Sequence, residues 1–261
     1  MLLCVSFGTT YAESRERCIG GIEKALAAAF PEQELRRAFT SKFIIRKLEK
    51  RDGIKIDQVD TALLKMQQAG VTEVLVQPTH LISGFEYTKV MDSLRQELAK
   101  FKSIRIGRPL LSSGEDFQRM ADILAELCPA ERAGKKTAYA WMGHGSDHQA
   151  NLVYERLKEI LDARGLKQIM IGTVESKPDV TDVISELQAY QPEHVVLRPL
   201  MVVAGDHATN DMAGSEPESW RSQIEAAGFS TEAVLEGLGE LPEVQALYVE
   251  HAKKAVELRP R

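Results

Sequence analysis

Two histidines in glycine-containing segments have the residue type and the setting for metal chemistry. His144 lies between two glycines and His207 follows a Gly-Asp pair, each just beyond an apolar run typical of a buried strand, 137–142 and 194–203. In open α/β proteins, ligands bind in the crevice beyond the carboxyl ends of the strands. Two imidazoles brought to that edge from different strands can therefore converge on one small ligand. A metal ion is the ligand that best suits this pair.

Glu175 extends the pair to a set of three. It follows the apolar segment 168–173, a third strand candidate, so its carboxylate reaches the same predicted edge. Two imidazoles and one carboxylate that leave coordination positions open suit a divalent first-row metal. An imidazole, whose unperturbed pKa is about 6.5, also accepts protons near neutral pH.

Each of these residues also has a purely structural interpretation. His144 can bond a backbone carbonyl within a turn. Asp206 can either orient the His207 imidazole as a supporting carboxylate or cap the helix that starts just after it. Glu175 can be a solvated acid beside the start of a helix. These alternatives remain open at the level of the residues themselves.

Strand-like and helix-like segments alternate along the chain and predict a parallel sheet covered by helices on both faces. Apolar residues at helical spacing predict helices over 57–70 and 147–164. Strands are predicted at 2–7, 35–39, 73–78, 103–107, 137–142, 168–173, 194–199 and 230–235.

The order of elements repeats in the second half of the chain. Segment 74–84 parallels 195–205, with proline and glycine at matching places, and 6–9 parallels 143–146. We therefore predict an α/β fold of two similar lobes, each a four-stranded parallel sheet flanked by helices, with a cleft between them. Residues 1–128 form the predicted N-terminal lobe. Residues 129–261 form the C-terminal lobe that carries the metal ligands.

The N-terminal lobe offers candidates of a different kind. Phe7 stands where the repeat places His144, which predicts a ring-packing surface in one lobe and metal chemistry in the other. Glu86 is either a proton acceptor or an acid in the first turn of a helix, and His80 is predicted to line the cleft. His148 is predicted to cap a helix or face solvent.

Composition limits the class of protein. The net charge of −5 argues against a general nucleic-acid or membrane-surface binder. No apolar stretch approaches the roughly 18 residues of a membrane span. The chain starts directly in a strand, which predicts a cytoplasmic protein, or a mature periplasmic form with its signal removed. The three widely spaced cysteines predict buried thiols.

Several motifs resemble those of the anaerobic cobalt chelatase family, the class II sirohydrochlorin cobaltochelatases, over essentially the whole chain. The segment 199–212, PLMVVAGDHATNDM, is the most specific. The other matching segments are 5–9, 37–41, 44–48, 109–113, 142–145 and 174–176. The sequence contains no GxxxxGK[ST], GxGxxG, GxSxG or HExxH motif, so phosphate-binding loops, serine hydrolases and zincins are not indicated.

The resemblance implies a chelatase fold around a tetrapyrrole and insertion of Co²⁺ into sirohydrochlorin without a nucleotide. It implies that His144, Glu175 and His207 bind the metal, and that His144 or His207 takes protons from the pyrrole nitrogens with help from Glu86. The many carboxylates of such a substrate need hydrogen-bond donors and cations on the protein.

Candidate donors are the backbone N–H groups and hydroxyls of Gly8, Thr9 and Thr10, together with cations such as Lys42 and Arg46. A solvated helix face is the alternative for Arg46.

Other functions remain open on the same residues. Fe²⁺ or Ni²⁺ fits the donor set as well as Co²⁺, and Fe²⁺ insertion would give sirohaem. A tetrapyrrole or metal carrier without turnover and a metal-dependent hydrolase are further alternatives. The sequence predicts no nucleic-acid or membrane partner and leaves a homo-oligomer open.

Overall fold

The computed structural model describes residues 1–259, and their strands and helices alternate as predicted. In chain order the strands are β1 Leu2–Ser6, β2 Leu35–Phe39, β3 Asp57–Gln58, β4 Glu73–Pro78, β5 Ser103–Ile106, β6 Glu131–Arg132, β7 Lys135–Gly143, β8 Ile169–Thr173, β9 His194–Pro199, β10 Thr231–Ala233 and β11 Val256–Glu257. The α-helices are α1 Ala12–Ser14, α2 Gly20–Ala29, α3 Lys42–Asp52, α4 Val59–Gln68, α5 Phe85–Glu97, α6 Gly114–Leu127, α7 Leu152–Ala163, α8 Val180–Tyr190, α9 Trp220–Ala226 and α10 Pro242–Lys253. Short π-helical segments span Arg15–Ile19 and Ala208–Met212, and 3₁₀ turns span Leu98–Lys100, Gln149–Asn151 and Leu238–Glu240.

The chain folds into two compact units. Unit 1 comprises residues 1–112 and the segment from Gly239 onward, and unit 2 comprises residues 113–238. The predicted boundary between residues 128 and 129 does not coincide with this division. Helix α6 belongs to unit 2, where it packs against α7 and Asp122 pairs with Arg164. Helix α10 belongs to unit 1, where it packs on α2 and β4.

Each unit contains the four-stranded parallel sheet that the sequence predicts. The strand order is β2-β1-β4-β5 in unit 1 and β8-β7-β9-β10 in unit 2. In both, the first strand of the unit's sheet is flanked by the second and third, so the two sheets share one topology. The two-residue strands β3, β6 and β11 are additions, and the last two run antiparallel to their neighbours.

Strands β1, β4, β7, β8 and β9 are buried along most of their length, as expected of parallel sheets covered by helices. In unit 1, Leu3 and Val76 belong to a core that also includes residues of α4 and α5. In unit 2, Ala140 and Leu197 pack with residues of α8 and α9. The three cysteines are free and buried, in agreement with the prediction.

Two helix boundaries differ from the sequence prediction for local reasons. The predicted helix 57–70 begins later, because Asp57 and Gln58 pair with β2 as a short strand. The predicted helix 147–164 opens with a 3₁₀ turn, and His148 caps it by accepting a hydrogen bond from the Ala150 N–H through Nδ1. Within residues 1–259, no helix has the length and apolar character needed to cross a membrane.

Candidate metal centre

Three neighbouring strands of unit 2 end at the residues predicted to bind metal. His144 directly follows β7, Glu175 lies two residues beyond β8, and His207 lies on the connection after β9. These strands are adjacent and parallel, with Met142 of β7 level with Gly172 and Pro199. Their carboxyl ends therefore meet at one edge of the sheet, where the side chains come together.

The three side chains are close enough to hold one ion. One ligand atom from each of His144, Glu175 and His207 lies within 4.8 Å of the others, the one such group among residues 1–259. The two imidazole centroids are 4.6 Å apart and nearly perpendicular, at 83°. Two atoms bound to the same ion at about 2.1 Å lie at most about 4.2 Å apart. The three ligand atoms therefore need to shift by only several tenths of an ångström to bind one ion. Partly exposed side chains can make such shifts.

Hydrogen bonds orient both imidazoles. Nδ1 of His207 lies 2.6 Å from a carboxylate oxygen of Asp211, and Nδ1 of His144 lies 3.0 Å from the Gly145 carbonyl oxygen. A carbonyl or carboxylate oxygen can only accept, so Nδ1 of each ring is assigned the proton. Nε2 of each ring then keeps its lone pair for a metal. Nδ1 of His144 is also 3.5 Å from Glu175 Oε2, so the carboxylate lies beside the rings.

The carboxylate that supports His207 is Asp211, not Asp206. Asp206 starts the helical turn, and one of its carboxylate oxygens accepts a hydrogen bond from the side-chain amide of Asn210 at 3.1 Å. His207 and Asp211 are four residues apart in that turn, a spacing that places two side chains on one face. That spacing was the signal in the sequence, and of the two roles left open for Asp206 the structure gives the orienting one to Asp211.

The backbone around His144 has little room for change. Gly145 has a φ of +85°, and a Cβ there would lie 2.8 Å from Thr173 Oγ1 and 2.9 Å from the Ser176 amide nitrogen. A Cβ on Gly143 would lie 2.3 Å from the buried ring of Tyr154. Burial raises the pKa of Tyr154, while the nearby backbone amides of Gly145 and His144 oppose that rise. Close packing thus fixes the path of the loop that carries His144.

Asn151 connects the loops of His144 and Glu175. Its Oδ1 accepts from the Ser146 N–H at 3.0 Å, and its Nδ2 donates to Ser176 Oγ at 3.3 Å and the Lys177 carbonyl at 2.8 Å. One side chain thus connects the two loops that carry the candidate ligands His144 and Glu175. The sequence analysis did not identify Asn151, because nothing in its spacing relates it to the loop after β8.

The loop after β1 in unit 1 is held by arginines. Arg15 donates to the Thr9 carbonyl at 3.3 Å, and Arg51 donates to the Thr10 carbonyl at 2.6 Å. Gly8 has a φ of +102° and packs against Phe39. Thr9 and Thr10 are buried, and Thr9 Oγ1 accepts a hydrogen bond from Tyr11 N–H. Phe7, in contrast, is exposed.

His80 and Glu86 form a second titratable pair, also in unit 1. Both ring nitrogens of His80 are buried without a hydrogen-bond partner in the described chain. Burial lowers the pKa of His80 to about 4, although Glu86 opposes the shift. Burial alone would raise the pKa of Glu86, but its bond to Lys89, the nearby Thr40 hydroxyl and His80 lower it overall. Glu86 is therefore a carboxylate and His80 a neutral imidazole at neutral pH.

The remaining histidines have structural contacts. His251 is buried in α10, with Nδ1 3.1 Å from the Arg108 carbonyl. His194 lies at the start of β9 beside the Ser230 hydroxyl, at 3.0 Å.

Comparisons with known proteins agree on one family. The family model described as cobalt chelatase (CbiK) matches residues 1–257. Sirohydrochlorin cobaltochelatase from Salmonella typhimurium is 40% identical over 257 residues, covering 98% of this chain and 96% of the relative. Sirohydrochlorin cobaltochelatase CbiKC from Nitratidesulfovibrio vulgaris is 34% identical over 258 residues, covering 98% and 90%. The solved structure of SirB from Bacillus subtilis with Fe³⁺ has a similar fold, with a TM-score of 0.61, 16% identity and coverage of 97% and 94%.

Proposed function

The chain belongs to the cobalt chelatase (CbiK) family, and on that premise we propose that it catalyses the insertion of Co²⁺ into sirohydrochlorin. The observation that carries the proposal is the convergence of His144, Glu175 and His207 within 4.8 Å at the ends of three adjacent strands. Co²⁺ is a substrate here, and sirohydrochlorin is the partner that receives it.

The donor set suits an ion that must be released again. Two imidazoles and one carboxylate leave coordination positions open, whereas a closed four-ligand site would retain the metal. All three side chains are partly exposed, so an incoming nitrogen ligand can approach. The same donors accept Fe²⁺ and Ni²⁺, since such sites follow the general affinity order of the metals. We propose Co²⁺ because both curated relatives carry that activity in their names.

Insertion exchanges two N–H protons of the macrocycle for one divalent cation, so charge is balanced and no group is transferred. Proton acceptors beside the ring nitrogens are therefore required. As Co²⁺ leaves Nε2 of His144 or His207, that nitrogen becomes free to accept a proton. Glu86, ionised at neutral pH, is the acceptor we assign in unit 1. Phe7, His80 and the Gly8–Thr10 loop are assigned to substrate contact.

Replacement of His207 tests the assignment directly. In His207→Ala, cobalt insertion should fall on the order of 100-fold or more, because a ligand and a proton acceptor are lost together. The matched control is His194→Ala, which removes a histidine of the same unit that bonds Ser230. Formation of the metallated product is followed by absorbance without ATP. Near-native turnover in a folded His207→Ala would contradict the role.

The same assay separates the alternatives. Parallel reactions with Co²⁺ and Fe²⁺ at equal low concentration determine which metal is preferred. Many products per chain indicate an enzyme, whereas a stoichiometric coloured complex would indicate a carrier.

A further inference from the structure

The loop that carries Glu175 is closed by a buried threonine. Thr173 is the last residue of β8, and it is only 1% exposed. Its hydroxyl lies 2.6 Å from the Ser176 carbonyl oxygen and 3.2 Å from the Pro178 carbonyl oxygen, so its O–H donates into the loop that follows the strand. The Thr173 N–H also donates to the Pro178 carbonyl, at 2.6 Å. The chain therefore leaves β8, passes Glu175 and returns to the residue from which it left.

The same threonine contacts the loop of the neighbouring ligand candidate His144. A Cβ on Gly145 would lie 2.8 Å from Thr173 Oγ1, so the hydroxyl packs directly against the backbone of that turn. A backbone hydrogen bond joins the two loops, from the Glu175 N–H to the His144 carbonyl at 2.9 Å. Thr173 thus contacts both loops at the point where they meet.

The position of the Glu175 carboxylate depends on this loop. The side chain is 54% exposed, and its one ion-pair partner among residues 1–259 is His144, 3.5 Å away. A long, half-exposed side chain loses conformational entropy when it is confined to one position, so a single contact of this kind fixes it weakly. The backbone of residues 174–178 therefore decides where the carboxylate can reach.

We propose that Thr173 is a positioning residue for metal binding, whose hydroxyl holds the loop that places the Glu175 carboxylate beside His144. The role rests on the proposed function and extends it to a residue that is not itself one of the three ligand candidates. Without the hydroxyl, the loop and its carboxylate occupy more positions. Binding of the metal must then confine them, and the entropy lost in doing so weakens the binding.

Thr173→Val tests the role, because valine keeps the shape of the side chain and removes the hydroxyl. The Kd for Co²⁺ should rise about tenfold, measured by visible absorption of the bound ion in the full-length protein without tetrapyrrole. Thr173→Ser keeps the hydroxyl and should bind Co²⁺ with an affinity near that of the wild type.

The matched control is Thr137→Val. Thr137 is another fully buried threonine of unit 2, and its hydroxyl donates to the Lys135 carbonyl at 2.9 Å. It lies near the start of β7, at the opposite end of the strand from His144. Thr137→Val should therefore lower the thermal unfolding midpoint about as much as Thr173→Val, since each loses one hydrogen bond, and should leave the Kd for Co²⁺ unchanged.

A double-variant cycle tests whether Thr173 acts through Glu175. In a Glu175→Ala background there is no carboxylate to position, so adding Thr173→Val should leave the Kd for Co²⁺ at the value of Glu175→Ala alone. The two effects should thus be strongly non-additive. Additive weakening would show that Thr173 affects metal binding by another route and would overturn the role.

Insertion assays of the wild type decide the proposed function, and Co²⁺ binding by the variants decides the role of Thr173. If Glu175→Ala binds Co²⁺ more weakly than the wild type and Thr173→Val binds it equally well, only the role of Thr173 is overturned. Equal weakening in Thr173→Val and Thr173→Ser would also overturn it, because the hydroxyl would not be the cause. Wild-type affinity in Glu175→Ala would do the same, since there would be no ligand to position.

Discussion

Asp211 decides which nitrogen of His207 is left to bind a metal ion. Its carboxylate lies 2.6 Å from Nδ1 and keeps the proton there, so Nε2 is the nitrogen that we propose as the ligand. The loss of a supporting carboxylate of this kind commonly weakens metal binding about 10- to 100-fold. Asp211→Asn should therefore raise the Kd for Co²⁺ about 10- to 100-fold, measured by visible absorption of the bound ion.

The neighbouring Asp206 provides the control for Asp211. It lies in the same turn, and one of its carboxylate oxygens accepts a hydrogen bond from the Asn210 side chain, so Asp206→Asn removes one charge from the turn and keeps the Asp211 carboxylate beside Nδ1 of His207. We expect its Co²⁺ affinity to remain near that of the wild type. Equal weakening in both variants would mean that the net negative charge of the turn matters, and not the hydrogen bond to Nδ1.

His80 predicts a pH dependence of stability. Its pKa falls from 6.5 to about 4 on folding, so the unfolded chain takes up a proton at a pH where the folded protein does not. The free energy of unfolding should therefore decrease as the pH falls from 6.5 to about 4, by roughly 3 kcal/mol at most. Above pH 6.5 this contribution does not vary.

His80→Gln tests whether His80 causes this loss of stability at acid pH, because glutamine does not titrate. Denaturant unfolding at several pH values should show a shallower loss of stability between pH 6.5 and 4 than in the wild type. An unchanged slope in His80→Gln would assign the acid sensitivity to other groups.

At the residue scale, the sequence predicted the residues that converge and not those that orient them. His144, Glu175 and His207 could be found because each follows a recognisable strand, and neighbouring parallel strands end at one edge. Asp211 and Asn151 act through local loop geometry, which apolar periodicity does not describe. The His207–Asp211 spacing of four residues was visible, but its use required knowing that the turn is helical.

At the scale of elements, Asn151 holds together the loops after β7 and β8. It bonds Ser146 on one loop and Ser176 and Lys177 on the other. In Asn151→Ala these bonds are lost, so His144 and Glu175 should no longer be held close together. We expect about tenfold weaker Co²⁺ binding in the absorption titration, with the fold retained.

Asn151→Asp separates the two halves of this contact. Aspartate can still accept from the Ser146 N–H, but it cannot donate to the Lys177 carbonyl. If the bonds to the Glu175 loop are what matter, Asn151→Asp should bind Co²⁺ as weakly as Asn151→Ala. Wild-type affinity in Asn151→Asp would show that only the Ser146 contact is needed.

The longer elements were predictable and the shorter ones were not. Strands such as β4 and β9 are continuous apolar runs bounded by turns, which is the pattern of buried parallel strands. The two-residue strands β3, β6 and β11 carry too few side chains to show any pattern. The helical character of α10 was visible, but its packing on α2 and β4 of unit 1 was not, because apolar periodicity identifies a buried face without naming its partner.

At the scale of the whole molecule, one topology occurs twice and has diverged in its chemistry. Both units place four parallel strands in the same order, yet His144, Glu175 and His207 all belong to unit 2. The corresponding edge of unit 1 carries exposed phenylalanines and lysines instead. Each unit thus has an equivalent sheet edge at the carboxyl ends of its strands, and the residues at that edge determine what it can bind.

This division predicts where Co²⁺ alone should stabilise the protein. A ligand that binds only the folded state adds about 2.7 kcal/mol to the free energy of unfolding when its concentration is 100 times its Kd. This increase corresponds to roughly 100-fold slower exchange of the most protected amides. Hydrogen exchange with Co²⁺ and no tetrapyrrole should slow in unit 2, around residues 143–146, 174–178 and 205–212. Residues 79–86 of unit 1 should be unaffected, because none of the three proposed ligands lies there. His207→Ala supplies the control, since it should abolish the effect, and protection of 79–86 by Co²⁺ would instead require a ligand from unit 1.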